Sequence, residues 1–215
     1  MNLTPVPAFM CGLPRDPERP HFPVPWFVAW IDGKPDYRCI EAGKIVQAVK
    51  GDLCWLCGKP IGPVKAFVLG PMCTLNRTIS EPPSHSACAE FALQICPFLT
   101  QPKMRRNEKG LPEDRKEAAG FGLDRNPGAY ALWKTAGYKV FRPSAGEDGV
   151  LFRVGDLIEV SWWCEGRAAT REEVLTSIDT GLPALMDMAL ADPRPGAVVE
   201  LNRLYEAAIA LLPPK

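Results

Sequence analysis

The sequence predicts an α+β protein: small β-hairpins and short helices around a metal-binding module, with a helical C-terminus. Three observations carry this expectation. Apolar and aromatic runs are punctuated by Asp32-Gly33 and Gly155-Asp156, two-residue turn signals that predict hairpins. Cys54, Cys57, His85 and Cys88 form the pattern C-x2-C-x27-H-x2-C, two short pairs that can each bite one metal ion from a local turn. The last stretch places Val198, Leu201, Leu204, Tyr205, Ala208, Ile209 and Leu212 at three- and four-residue steps, one broad apolar face of a helix.

Taken in order, residues 1–52 read as a proline-rich arm followed by a hairpin. Pro5, Pro7, Pro14, Pro17, Pro20, Pro23 and Pro25 remove backbone donors and block helix, so the arm should run extended over a core. WFVAWIDGKPDYRCI should supply two strands around Asp32-Gly33, and Lys44 to Val49 a short helix. Residues 53–100 form the metal-binding module, with a strand from Lys65 to Leu69 ending at Gly70-Pro71. Ser84 is placed to N-cap a helix whose first turn carries His85 and Cys88, continued by Phe91, Ala92 and Ile95 and stopped by Pro97.

Residues 101–120 mix charges of both signs with Pro and Gly and read as a solvated connection. Residues 121–215 make an α+β C-terminal region. Asn126-Pro127 has the chemistry of a helix start, with Ala129, Leu132, Trp133 and Ala136 as its apolar stripe and Gly137 as its end. Tyr138 to Arg142 is β-like, and VLFRV and LIEVSWW should pair across Gly155-Asp156, with Trp162 and Trp163 on opposite faces. Thr170 to Glu173 has capping-box spacing for a helix reaching Ile178, interrupted at Gly181-Leu182-Pro183; a short helix follows, then the amphipathic one.

Composition sets the limits. At 215 residues the chain can bury a real core, so a metal would be a local staple. Twenty-five basic residues cancel twenty-five acidic ones, leaving no overall field to attract a polyanion. No basic start leads into an apolar stretch, and no run of apolar residues has the length of a membrane span, so a cytoplasmic location and no membrane partner are expected. In such a compartment the eight cysteines stay reduced, and C-x2-C spacing points first to metal binding or redox chemistry; a thioredoxin-type redox pair would want a βαβ context and would leave His85 and Cys88 unexplained.

A knuckle at CWLCG, a β segment and a helix bearing the second ligand pair resemble the treble-clef zinc fingers, over about residues 53–97. The resemblance implies a structural Zn2+ held by Cys54, Cys57, His85 and Cys88, with all four positions taken by protein donors. Cys73, between the pairs, and Cys96, after the helix, are alternative ligands to His85. Over its whole length the chain is also similar to bacterial and phage-borne proteins with CWxCG and EPPSH segments, a likeness that implies no mechanism.

Treble-clef folds include the His-metal nucleases, which need a hairpin histidine to activate water. GKPIGPVKAFVLGPM contains no His, Asp or Glu, and the other histidine, His21, lies in the arm. The His-x-Glu of zinc deaminases, a phosphate-binding glycine loop and GxSxG are also missing. The sequence therefore favours an interaction or adaptor protein with a structural zinc and a protein partner. One alternative is nucleic-acid binding through Lys59, Lys65, Arg77, Arg105 and Arg106. Another is an enzyme whose site is assembled away from the zinc from Asp32, Glu41, Arg77, Glu165 and Arg167.

Overall fold

Prolines and turn residues shape the first part of the chain. A computed structural model describes residues 4–105, 107, 109–111, 119, 125–143 and 149–214. The proline-rich arm makes one 3-10 turn at Ala8–Met10, then a narrow ribbon of β1 (Arg15–Asp16) and β2 (Arg19–Pro23). β3 (Val28–Ile31) and β4 (Lys34–Ile40) form the predicted hairpin, and both turn residues, Asp32 (φ 49°) and Gly33 (φ 76°), are left-handed as a type I′ turn requires. Tyr37 of β4 donates its hydroxyl to buried Asp16 at 2.9 Å, tying hairpin to arm. Burial pushes the Asp16 carboxyl up, but hydrogen bonds from Glu18 N–H and Tyr37 and the nearby Arg19 charge outweigh it and hold the group ionised. α1 (Lys44–Gly51) follows where expected.

β5 (Lys65–Leu69) is the strand expected at that position, and α2 (Pro71–Asn76), which the sequence did not signal, starts on Pro71 at its first turn. After β6 (Thr78–Ile79) come α3 (Ser86–Ile95) and α4 (Pro97–Thr100).

The segment expected to be a helix from Asn126 is instead a strand, β7 (Ala129–Thr135). It is one of two inner strands of an antiparallel sheet in the order β11-β10-β7-β5 and is covered on both faces. Tyr130 and Leu132 meet Ala89 and Leu93 of α3, while Ala129, Ala131 and Trp133 face the main core. A strand buried on both sides loses its polar alternation, and AYALW then passes for a helical stripe. Asn126 caps backwards rather than forwards: its side-chain amide donates to Phe98 O (2.7 Å) and Gln101 O (2.9 Å), closing the end of α4. Gly128 at φ 107° separates it from the strand.

β8 (Tyr138–Phe141) and β9 (Leu151–Val154) pair with each other and with β6, whereas β10 (Leu157–Cys164) pairs with β7 and with β11 (Arg167–Ala168). Gly155-Asp156 is therefore a corner in one long strand, not a hairpin turn. The register runs on across it, with Tyr138 opposite Val154 and Thr135 opposite Leu157, so the two sheets share one bent antiparallel ribbon. At the bend Gly155 N–H donates to Gly137 O at 3.1 Å, and a Cβ on Gly155 would collide with that same carbonyl. Trp162 and Trp163 take opposite faces, as alternation demands.

α5 (Arg171–Ala191) opens on the expected capping box, Thr170 and Glu173 each satisfying the other's backbone. It does not break at Gly181-Pro183 but continues through both. Gly181 allows the close approach of α2, since a Cβ there would lie 2.9 Å from Met72 Cγ, and packing of Val174, Ile178 and Leu185 into the core holds the helix across Pro183. Its length and composition would suffice to cross a membrane, with 28% of its most apolar window buried; one side of it packs on the core and against α2 and α6 (Ala197–Ile209), while Met188 and Leu190 near its end are exposed. Leu201, Ala208 and Leu212 dock the C-terminal helix on the same core, the face its periodicity predicts.

Candidate metal centre

CWLCG turns tightly because its backbone closes on itself: Gly58 N–H donates to Cys54 O and Cys54 N–H to Lys59 O, both at 2.8 Å. Gly58 is required twice over. Its φ is 70°, and a Cβ would lie 2.5 Å from the Trp26 ring packed over the turn. Trp26 N–H donates to Leu56 O and Trp55 N–H to Pro83 O, so the arm and the segment before α3 hold the knuckle from both sides.

Ser84 is not the cap of α3. It pairs with Ala66 of β5 through two backbone hydrogen bonds, at 2.8 and 2.9 Å, and the N-cap is His85, in extended conformation (φ −61°, ψ 145°). The shift of one residue has a chemical consequence. Extended His85 points its backbone N–H at Cys54 Sγ (3.3 Å) and its ring at the other thiols, while Cys88 rises from the first turn of the helix.

The donor atoms of Cys54, Cys57, His85 and Cys88 all lie within 4.8 Å of one another, close enough to hold a metal ion. His85 Nδ1 is 3.3 Å from Cys57 Sγ and 3.9 Å from Cys88 Sγ, and Nε2 is 3.0 Å from Pro60 O. A carbonyl only accepts, so Nε2 carries the proton, and in the neutral ring the Nδ1 lone pair is left facing the sulfurs. This backbone contact leaves the imidazole oriented so that Nδ1 could serve as a ligand, the arrangement metal-binding histidines commonly show. The cysteines are at most 5% exposed and His85 9%. Hydrogen bonds from Cys57 and Cys88 hold the Cys54 thiol far below its ordinary range, and donating those bonds pushes the other two up. A cation bound between the three sulfurs would displace the protons that Cys57 and Cys88 donate to Cys54.

Val6, Met10, Leu13, Phe91 and Ile95 pack around these side chains, and Phe9 stacks on the His85 ring with centroids 4.1 Å apart and planes 5° from parallel. Sequence patterning assigned the arm to a core but not to this one. Nor could it reveal Pro60, which contributes only a backbone oxygen.

Cys73 and Cys96 lie outside the cluster. Cys73 packs against the main core, where burial raises its thiol to about 12, and Cys96 ends α3. His21 is exposed on β2. Of the basic residues, Lys59 is exposed, Lys65 is bonded to Asp52 at 2.7 Å, and Arg77 lies over Trp133, its Cζ 3.8 Å from the ring centroid. Arg105 bridges to Arg125 through its backbone, and Arg106 lies outside the described residues. Of the residues considered for a separate site, Glu165 and Arg167 share the β10–β11 turn, where Arg167 pairs with Glu173 at 2.6 Å. Asp32 shapes the β3–β4 turn, and Glu41 pairs with Lys44. No protein-family profile, curated protein or solved structure matches the chain.

Proposed function

We propose that Cys54, Cys57, His85 and Cys88 bind one structural zinc ion in a treble-clef-like module, within a cytoplasmic protein that works by binding another protein. The observation that carries the zinc assignment is the His85 ring, fixed by Pro60 O with Nδ1 toward the thiols. Zn–S bonds of about 2.3 Å and Zn–N bonds of about 2.0 Å in a tetrahedron separate sulfur from nitrogen by about 3.5 Å. The separations here, 3.3 and 3.9 Å, bracket that value. Three sulfurs and one imidazole nitrogen are a donor set that zinc favours, and four protein ligands leave no position for a substrate or water.

The interaction reading is supported by that closed shell and by aromatic side chains half in water, Trp30 and Tyr37 on the β3–β4 hairpin, which are of the type enriched at interfaces. Eight free cysteines suit a reducing compartment. The test is metal content of the purified full-length protein by mass spectrometry. One zinc per chain is expected, with stoichiometric loss in Cys54→Ser and a clear deficit in His85→Ala. Full retention by both variants overturns the ligand assignment.

A further inference from the structure

The residues over the metal centre come from far away in sequence and are attached differently from the rest of the arm. From β1 onward the arm is anchored: Val24 is 1% exposed and its N–H donates to Pro14 O at 2.8 Å, and Tyr37 grips Asp16. Residues 4–13 have another footing. They make one 3-10 turn and place Val6, Met10 and Leu13 against Cys54, Cys57, Cys88 and Phe91, with Met10 only 2% exposed. Gly12, where an added Cβ would meet nothing within 4 Å, lies just before the anchored part.

We propose that residues 4–13 are a lid that governs exchange of the bound metal, with Phe9 as the positioning residue; this rests on the metal-site assignment above. His85 is the neutral ligand of the set, so its departure separates less charge than that of a thiolate and is the easiest first step of metal release. The imidazole leaves by swinging out of the ion's reach. Pro60 O restrains the ring at its edge, and Phe9 covers its face. Phe9 itself is 44% exposed, so the cover can lift into water without opening the main core. Release is a ligand substitution: the cation passes from four protein donors to an acceptor, the thiolates take up protons, and no electrons move.

The experiment compares transfer of zinc from the full-length, zinc-loaded protein to excess 4-(2-pyridylazo)resorcinol, followed by absorbance. Phe9→Ala should bind zinc at the wild-type stoichiometry but release it about three- to tenfold faster, the scale of one aromatic stacking contact. Phe9→Tyr, which keeps the ring, should stay close to the wild-type rate. Val46→Ala, at an exposed apolar position on α1, controls for general loosening and should release at the wild-type rate. Equal rates for Phe9→Ala and wild type overturn the lid while leaving the zinc site standing. Wild-type protein that binds no zinc overturns the site itself.

Discussion

Two of the three apolar clusters among the described residues differ in kind. The larger, between the four-stranded sheet and α2, α5 and α6, is built from Phe67, Leu69, Trp133, Phe152, Ile178 and their neighbours, apolar side chains that need only one another. The smaller is built from Cys54, Cys57, Cys88, Met10 and Phe91, and at its centre these thiols and the His85 ring lie close enough to hold a metal ion. Hydrophobic burial stabilises the first at any metal concentration. Under the proposed ligation the second would gain most of its stability from the ion, and so only while it is bound. α3 links the metal side to the opposite face of the sheet, giving Ala89 and Leu93 to the third cluster with Tyr130 and Leu132 and giving Cys88 and Phe91 to the metal side.

Stripping the metal should separate the two most sharply. Structural zinc in isolated fingers contributes about 10–16 kcal/mol, so amides of Cys54 and Gly58 should exchange with deuterium orders of magnitude faster in chelated protein. Those of Leu132 and Trp133 should keep their protection; simultaneous collapse would mean that the cores form one cooperative unit. Trp133→Ala attacks the other side of the comparison. It should cost about 3–5 kcal/mol in urea unfolding and also strip Arg77 of its stacking partner, yet leave metal stoichiometry intact.

Smaller effects probe the frame. Gly155→Ala drives a methyl into the Gly137 carbonyl and should cost about 1–3 kcal/mol, whereas Gly137→Ala meets nothing within 4 Å and should cost less than about 1. Equal losses would show that chain entropy, not the corner, sets the requirement. Thr170→Ala should cost about 1 kcal/mol by uncapping α5.

The least effect is electrostatic. Hydrogen bonds from Arg167 and then from Thr170 N–H lower the Glu173 carboxyl from 4.5 to about 2. A folded-state value below the unfolded one gives stability that is present above pH 4.5 and lost as pH falls toward 2. Solvent screening of this surface pair limits it to about 1 kcal/mol. Thermal melts of wild type and Glu173→Gln should therefore converge as pH approaches 2.

How legible each part was follows from where its information is stored. The metal cluster could be found because both ligand pairs are local, as are the β3–β4 turn at Asp32-Gly33 and the Thr170 cap. β7 could not be assigned, because burial on two faces is a property of α3 and the main core, not of AYALWKT. Gly155-Asp156 has the letters of a turn, and only the partners of β9 and β10 make it a corner. Pro183 looked like a stop, but α2 lying against Gly181 and the buried apolar face of α5 overrode it. Phe9 was invisible as a metal-site residue because its target is 76 positions away.

The bent ribbon also bears on the order in which the chain can assemble. Phe141 and Leu151 pair across ten positions, whereas Leu69 of β5 must find Ala131, 62 positions on. Loop closure favours the near pair, so β8 and β9 should zip first and carry their register through the glycine corner into β7 and β10. β5 and the metal-binding segment before α3 would then be recruited onto an edge whose alignment is already decided.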